Sequence, residues 1–306
     1  MEKSKKLSVK FLNCKSDSPL VLPAGIMDVS YGSMLFAVQN GAGFVTMKSC
    51  TLEPRSGHAG PVVCEIEGAM INAMGLCNPG IEKGLEEIEK FKKESDVPVI
   101  SSVFGANRDE FVKLSNYVND SSADYIELNL SCPNVSSEFG TPLSASKEMV
   151  ADIVGAVKKN SRLPVLAKLS PNTHDVTGIA RAAENAGADG LVMINTLGPG
   201  MVIDINARRP VISAKFGGIS GPAVKPVAVK LVYQVTEAVG IPVIGMGGVT
   251  TGSDAIEMIM AGASLVGVGT AVYYRGIEVF NRINSEIVEY LDKVGLDSVT
   301  GIKRID

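Results

Sequence analysis

Two lysines, one cysteine, a few asparagines and two glycine-rich turns carry the chemistry this sequence can support. Lys48 stands in Val45-Thr46-Met47-Lys48-Ser49 and Lys168 in Val165-Leu166-Ala167-Lys168-Leu169. A lysine at the end of an apolar run is costly to bury unless an anion compensates it. Two such cations in one pocket suit a phosphorylated cofactor beside an anionic substrate; a structural ion pair is the plainer alternative. Gly245-Met246-Gly247-Gly248-Val249 and Gly267-Val268-Gly269-Thr270-Ala271 are the glycine turns. Glycine lets backbone N–H groups approach an anion closely, and a following helix adds its dipole. Cys132, directly before Pro133, is a candidate exposed and reactive thiol. Most of the other four cysteines read as packing residues. Asn129, Asn134 and Asn195 can each donate and accept, which suits a planar ring with C=O and N–H edges. With only His58 and His174 present, a histidine base is not expected.

These residues need a scaffold that brings them to one place. Eight short runs rich in Val, Ile and Leu occur at about Leu20–Ala24, Gly43–Lys48, Val97–Val103, Asp124–Leu130, Leu163–Leu169, Gly190–Asn195, Ile241–Gly245 and Ser264–Val268. Near-continuous hydrophobicity is what a strand covered on both faces requires. Amphipathic segments alternate with them: Gly84–Glu94, Arg108–Val118, Ser146–Lys159, Val176–Ala186, Val224–Ala238 and Thr251–Ala261. Many close on a glycine before the next run, the punctuation of repeated βα units. The pattern predicts an α/β fold, a closed (β/α)₈ TIM barrel over 1–306 as a single domain, in preference to an open doubly wound sheet. Leu7–Phe11 followed by Asn13–Pro19 predicts a short hairpin capping the barrel bottom. Ser49–Glu82 and Thr196–Ala223 are expected to be long loops on the catalytic face. In such a barrel the reacting residues sit at the carboxyl ends of the strands, and phosphate is often held after strands seven and eight. The two glycine turns fall there.

Composition narrows the function further. A hydrophobic fraction of 45% and a charged fraction of 20% supply a large core and argue against disorder. A net charge of −4 argues against a nucleic-acid surface. The amino-terminal Met1–Phe11 stretch is charged and precedes no long apolar run, so neither a signal peptide nor a membrane span is expected, and a cytoplasmic location is. Five cysteines without a C-x-x-C pair suggest reduced thiols and neither an iron–sulfur cluster nor a zinc site in this chain. None of the glycine pairs completes G-x-G-x-x-G, so no dinucleotide site of that kind is expected.

The residues themselves reach further than their spacing. Asn129-Leu130-Ser131-Cys132-Pro133-Asn134 resembles the signature of class-1 dihydroorotate dehydrogenases. Thr51-Leu52-Glu53-Pro54-Arg55, Asn72-Ala73-Met74-Gly75-Leu76 with Asn78-Pro79-Gly80, Gly217-Gly218-Ile219-Ser220-Gly221-Pro222-Ala223 and the Gly245–Val249 turn match in family order, from about Leu22 to about Thr270. Thr196–Met201 and Ala24-Gly25-Ile26-Met27 most resemble the archaeal, NAD-linked (1B) catalytic subunits.

The resemblance implies FMN in the barrel mouth, with dihydroorotate stacked on it and oxidised to orotate in pyrimidine biosynthesis. It makes Cys132 the base that takes a proton from C5, while hydride passes from C6 to flavin N5. It assigns the flavin to Ala24, Gly25, Lys48, Asn129 and Lys168, with the phosphate on Gly221, Gly247, Gly248, Gly269 and Thr270. Substrate falls to Lys48, Asn72, Met74, Gly75, Leu76, Asn129, Asn134, Asn195 and Thr196. Electrons are expected to leave through a partner subunit carrying FAD and an iron–sulfur cluster, around a homodimeric core. Met27-Asp28-Val29 departs from the small, Gly-rich segment of bacterial members, and Cys77 stands where many relatives carry Pro or Gln. The alternative is another FMN barrel acting on dihydropyrimidines, as in dihydropyrimidine dehydrogenase, although those typically carry His where Asn134 stands.

Overall fold

The computed structural model describes residues 2–130 and 146–306. Eight parallel strands close into a barrel: β1 (Leu20–Leu22), β2 (Phe44–Cys50), β3 (Val99–Val103), β4 (Tyr125–Asn129), β5 (Val165–Lys168), β6 (Gly190–Met193), β7 (Val243–Met246) and β8 (Leu265–Gly267). Each pairs with its neighbours in chain order, and β8 returns to β1 through Val266 opposite Leu20. The helices α1 (Tyr31–Gln39), α2 (Ile81–Glu94), α3 (Arg108–Asn119), α4 (Lys147–Asn160), α5 (Val176–Asn185), α6 (Lys225–Ala238), α7 (Gly252–Met260) and α8 (Val279–Val294) follow the strands in turn. Strand residues β3 to β7 are buried throughout, as expected for strands lined by side chains inside and helices outside.

Local rules set the helix ends. Asn107, Ser146 and Asp175 each accept a first-turn N–H at the starts of α3, α4 and α5. Thr251 and Asp254 form a reciprocal capping box on α7, satisfying donors a helix start leaves open. The apolar pattern alone did not reveal α1 or α8. The first is an apolar segment with little polar contrast, and the second lies past the last strand.

Val9–Phe11 and Cys14–Ser16 form the expected hairpin, preceded by an unforeseen short helix, Glu2–Leu7. Its Phe11 enters the amino-terminal end of the barrel between Phe44 and Tyr125, the first residues of β2 and β4. Ring centroids lie 6.1 and 5.8 Å away, edge to face, and the Tyr125 hydroxyl donates to the Phe11 carbonyl at 2.7 Å. The barrel bottom is an aromatic plug.

The two long connections on the opposite end are not loops. They fold together into a four-stranded antiparallel sheet in the order Leu197–Gly200, Gly217–Ser220, Ala69–Asn72, Val63–Ile66. Each connection forms its own antiparallel pair of strands, and the two pairs join where Gly217–Ser220 meets Ala69–Asn72, a pairing that local sequence does not display. Ile71, Ala73 and Ile212 form a small core of their own beneath it. Among the described residues no helix is long and apolar enough to cross a membrane.

Phe11 is 1% exposed. Phe11→Ala should therefore lower unfolding free energy by roughly 3–5 kcal/mol, the range for emptying a large aromatic site, while leaving the far end of the barrel intact. Denaturant unfolding would measure it; a loss below about 1 kcal/mol would show the plug is dispensable.

Candidate active site

A cavity of about 370 Å³ opens at the carboxyl ends of the strands, within the size range of small-molecule sites. Strand ends deliver its polar wall. Lys48 and Ser49 come from β2, Asn129 ends β4, Lys168 ends β5, and Asn195 and Thr196 follow β6. The glycine turns after β7 and β8 bring Gly247, Gly248, Gly269 and Thr270, while Ala24 and Gly25 follow β1. The antiparallel sheet adds Asn72 and Gly221 at strand ends, with Met74, Gly75 and Leu76 on the connection beyond. Every described residue that the sequence nominated lines this one cavity. Cys132 and Asn134 lie outside the described residues.

Behind the wall runs a buried polar chain. Asn129 Nδ2 donates to Ser49 Oγ at 3.1 Å, the Ser49 and Ser102 hydroxyls share a bond of 2.8 Å, and Ser102 Oγ donates to Glu127 Oε1 at 2.7 Å. Because the Ser102 proton goes to the carboxylate, Ser49 must donate to Ser102, and donors point one way along the chain toward Glu127. Lys168 Nζ lies 3.8 Å from the same carboxylate oxygen, both side chains at most 4% exposed. Glu127 is thus the counter-ion the sequence reading left open, and no ligand phosphate is needed to make Lys168 tolerable. Glu127 in Tyr125-Ile126-Glu127-Leu128-Asn129 is an acid inside an apolar run, the same signal that singled out the lysines, and Ser49 and Ser102 carried none.

The glycine turns are shaped for close approach. Gly248 has φ +75°, and a Cβ there would stand 2.8 Å from both the Gly221 carbonyl and the Lys225 backbone nitrogen. Among the described residues the Gly248 and Gly269 N–H groups donate to no protein acceptor. The Tyr274 hydroxyl is buried without a partner, 3.3 Å from where a Gly221 Cβ would stand. Free donors, bare backbone and an orphaned hydroxyl gathered here fit an anion such as a phosphate. The turn is clamped from outside. Burial alone would raise the Asp254 carboxyl, but Lys225 at 2.7 Å and donors from Thr250 and Thr251 outweigh it and hold its pKa at about 2.

The Asn72–Leu76 side of the cavity is equally constrained. Gly218 faces Asn72 across the sheet, and a Cβ on it would collide with Thr196 Oγ1 at 2.0 Å; only glycine lets these two polar side chains share the rim. His58 N–H donates to the Met74 carbonyl at 3.2 Å, and its Nδ1 lies 3.1 Å from the Ala73 carbonyl. This bracing accompanies left-handed backbone at Gly75 and Leu76. Ser220, Met246 and Tyr273 also line the cavity and were not anticipated; Tyr273 is tied to Glu65 at 2.9 Å. Cys77 is exposed and does not reach the wall. Among the described residues Cys14, Cys50, Cys64 and Cys77 are free thiols, and no group of His, Cys, Asp and Glu could hold a metal.

Fold and site define a (β/α)₈ barrel enzyme whose mouth holds a glycine turn shaped for an anion beside a cationic, amide-lined chamber. The comparisons sharpen this class. A family profile described as Dihydroorotate dehydrogenase matches residues 6–291. Proteins named "Dihydroorotate dehydrogenase B (NAD(+)), catalytic subunit" are similar along nearly their full lengths. The one from Pyrococcus abyssi is 46% identical over 97% of each chain. That from Methanocaldococcus jannaschii is 42% identical over 93% of this chain and 94% of its own. A crystal structure of DHODH from Eimeria tenella in complex with ferulenol superposes with a TM-score of 0.81 at 25% identity, covering 97% of this chain and 88% of that one. The chain belongs to the dihydroorotate dehydrogenase family.

Gly248→Ala should weaken flavin binding by at least about tenfold, because the clash is with backbone and no rotamer relieves it. Flavin fluorescence titration of the apoprotein would read this. Unchanged affinity would place the phosphate elsewhere.

Proposed function

We propose that this chain is the catalytic subunit of a flavin-dependent dihydroorotate dehydrogenase that oxidises (S)-dihydroorotate to orotate in pyrimidine (UMP) biosynthesis, with FMN as its flavin. The observation that carries the reading is the single cavity in which Lys48, Lys168, Asn72, Asn129, Asn195 and the glycine turns converge. Family membership carries the flavin, and the resemblance of the glycine turns to a phosphate site supports FMN. Gly221, Gly247, Gly248, Gly269 and Thr270 would hold its phosphate, with the open N–H groups of Gly248 and Gly269 as donors. Lys168 would stabilise negative charge on the reduced ring, and Ala24 and Gly25 would let the backbone pass close to it. When bound, the flavin supplies the acceptor, N5, for the hydride leaving C6.

Lys48 pairs with the substrate carboxylate, which favours dihydroorotate over an uncharged dihydropyrimidine. Asn72, Asn129, Asn134, Asn195 and Thr196 read the ring's alternating donors and acceptors, and the backbone of Met74, Gly75 and Leu76 closes over it. Cys132, three residues past Asn129 in the chain, takes the C5 proton onto its sulfur as the C5=C6 double bond forms. A preorganised ammonium and amide wall costs no reorganisation as charge moves. The relatives named as catalytic subunits of an NAD(+) enzyme support a partner subunit on the path to NAD. Onward electron transfer would use a partner chain carrying FAD and an iron–sulfur cluster, with a homodimeric core of this chain in the cytoplasm.

Cys132→Ala should lower the rate of flavin reduction by dihydroorotate roughly 10²–10⁴-fold, the usual worth of a general base, while FMN stays bound. With an ordinary thiol near pKa 8.5, the wild-type rate should climb as pH approaches about 8.5 and level above it, because only the thiolate accepts a proton. Stopped-flow bleaching of the flavin across pH would show both effects. A Cys132→Ala protein as fast as wild type would assign the base elsewhere.

The isolated chain should form orotate rapidly with an artificial dye and slowly with NAD. Steady-state assays comparing NAD, fumarate and dye decide this. Rapid partner-free turnover with NAD would refute the two-chain arrangement, and rapid turnover with fumarate would make the chain a self-sufficient homodimer.

A further inference from the structure

Asp28 is the buried charge that the reaction scheme leaves unused. It is 2% exposed and sits between β1 and α1, in the Met27-Asp28-Val29 segment. Its carboxylate accepts the Gly25 N–H at 2.5 Å, and its carbonyl accepts the Lys48 N–H at 2.8 Å. Asp28 therefore ties the flavin-side Ala24–Met27 loop to the end of β2 that carries Lys48. The charged and titratable groups acting on it are Lys48 and Lys168 from β2 and β5, with the Cys50 thiol from β2. Burial raises the Asp28 carboxyl above the ordinary range, and Lys48, the Gly25 N–H and Lys168 oppose that. Burial, with Asp28 adding to it, pushes the Cys50 thiol up to about 12, so Cys50 stays neutral and adds no charge.

Lys48 and Lys168 are balanced differently. Lys168 lies against Glu127. The Lys48 ammonium forms no direct salt bridge among the described residues, lines the cavity, and feels Asp28 only through the field. Its donors stay available to a ligand while its charge is partly cancelled from behind.

We infer that Asp28 is a positioning residue that sets how strongly Lys48 attracts the substrate's carboxylate. The inference rests on the reading of dihydroorotate as substrate and of Lys48 as its carboxylate contact. Orotate carries the same carboxylate as dihydroorotate, so an uncompensated Lys48 would hold the product as tightly as it draws in the substrate. An ionised Asp28 weakens both and favours release. Linkage fixes the sign: an anion beside Lys48 offsets part of the ammonium's field at Asp28 and raises that carboxyl's proton affinity. Anion binding therefore takes up a fraction of a proton, and it tightens as pH falls toward the raised carboxyl pKa.

The test is orotate titration of the FMN-loaded protein, followed by flavin absorbance from about pH 5 to about pH 8. Asp28→Asn keeps an oxygen for the Gly25 N–H and removes the charge. It should bind orotate about threefold to tenfold more tightly near neutrality and lose the wild-type tightening toward low pH. A purely structural role predicts the opposite direction. Weaker or unchanged binding by Asp28→Asn, or failure of that variant to retain FMN, would overturn the inference. Wild-type calorimetry in two buffers of different ionisation enthalpy tests the coupling without any substitution; orotate binding with no proton uptake would also overturn it. A wild-type protein that holds FMN but binds no orotate would instead remove the substrate reading, and this inference with it.

Discussion

The burial of an ammonium group at the centre of the barrel mouth is the constraint on which the rest of the site depends. Lys168 is 4% exposed, and a lone buried charge of that kind would shed its proton or unfold its surroundings. Glu127 makes it tolerable, and Glu127 is itself made tolerable by the donor chain from Asn129 through Ser49 and Ser102. Four strands, β2 to β5, must therefore hold their register to one residue, since a slip would turn these side chains out of the barrel. The ladder shows that register: Asn129 opposes Lys168, and Ser102 opposes Glu127. Removing one partner of such a buried pair is typically worth 3–5 kcal/mol, so charge balance and barrel closure support one another.

Stability and chemistry are divided between the two ends. The bottom is closed by Phe11, Phe44 and Tyr125, apolar and tightly packed, and it tolerates little exposure of its rings. The top is assembled from parts that are individually poor at packing: glycine turns, a left-handed Leu76, amides and charges. These parts are held by neighbours outside the cavity, with Lys225 and Asp254 clamping the turn after β7 and His58 bracing the Met74–Leu76 loop. The antiparallel sheet between them carries Asn72, Gly218 and Gly221 to the rim, so these two sides of the cavity are joined by one structural unit.

The eight strands were legible because a parallel barrel strand must be apolar on both faces, and the runs around Val165 or Val243 show that directly. The glycine turns and both lysines were legible because their residue types are expensive where they stand. Glu127 carried the same signal and could have been read; its role as counter-ion could not, since strand pairing brings it to Lys168 from β4. The four-stranded sheet was hidden for a related reason: Ala69–Asn72 pairs on one side with the nearby Val63–Ile66 but on the other with Gly217–Ser220, far along the chain. α1 escaped because its apolar residues are not confined to a face. Asp28 was visible only as a departure from a familiar pattern, and its meaning rests on burial beside Lys48, which no spacing reveals.

The most direct test of the account is an anaerobic titration of the purified, FMN-loaded chain with dihydroorotate, monitored by flavin absorbance and by orotate formed. The convergence of Lys48, Lys168 and the amides on a flavin-sized cavity predicts complete bleaching with one orotate released per flavin, and no bleaching by dihydrouracil, which lacks the carboxylate that Lys48 receives. A flavin that dihydroorotate leaves oxidised, or that dihydrouracil reduces equally well, would contradict it.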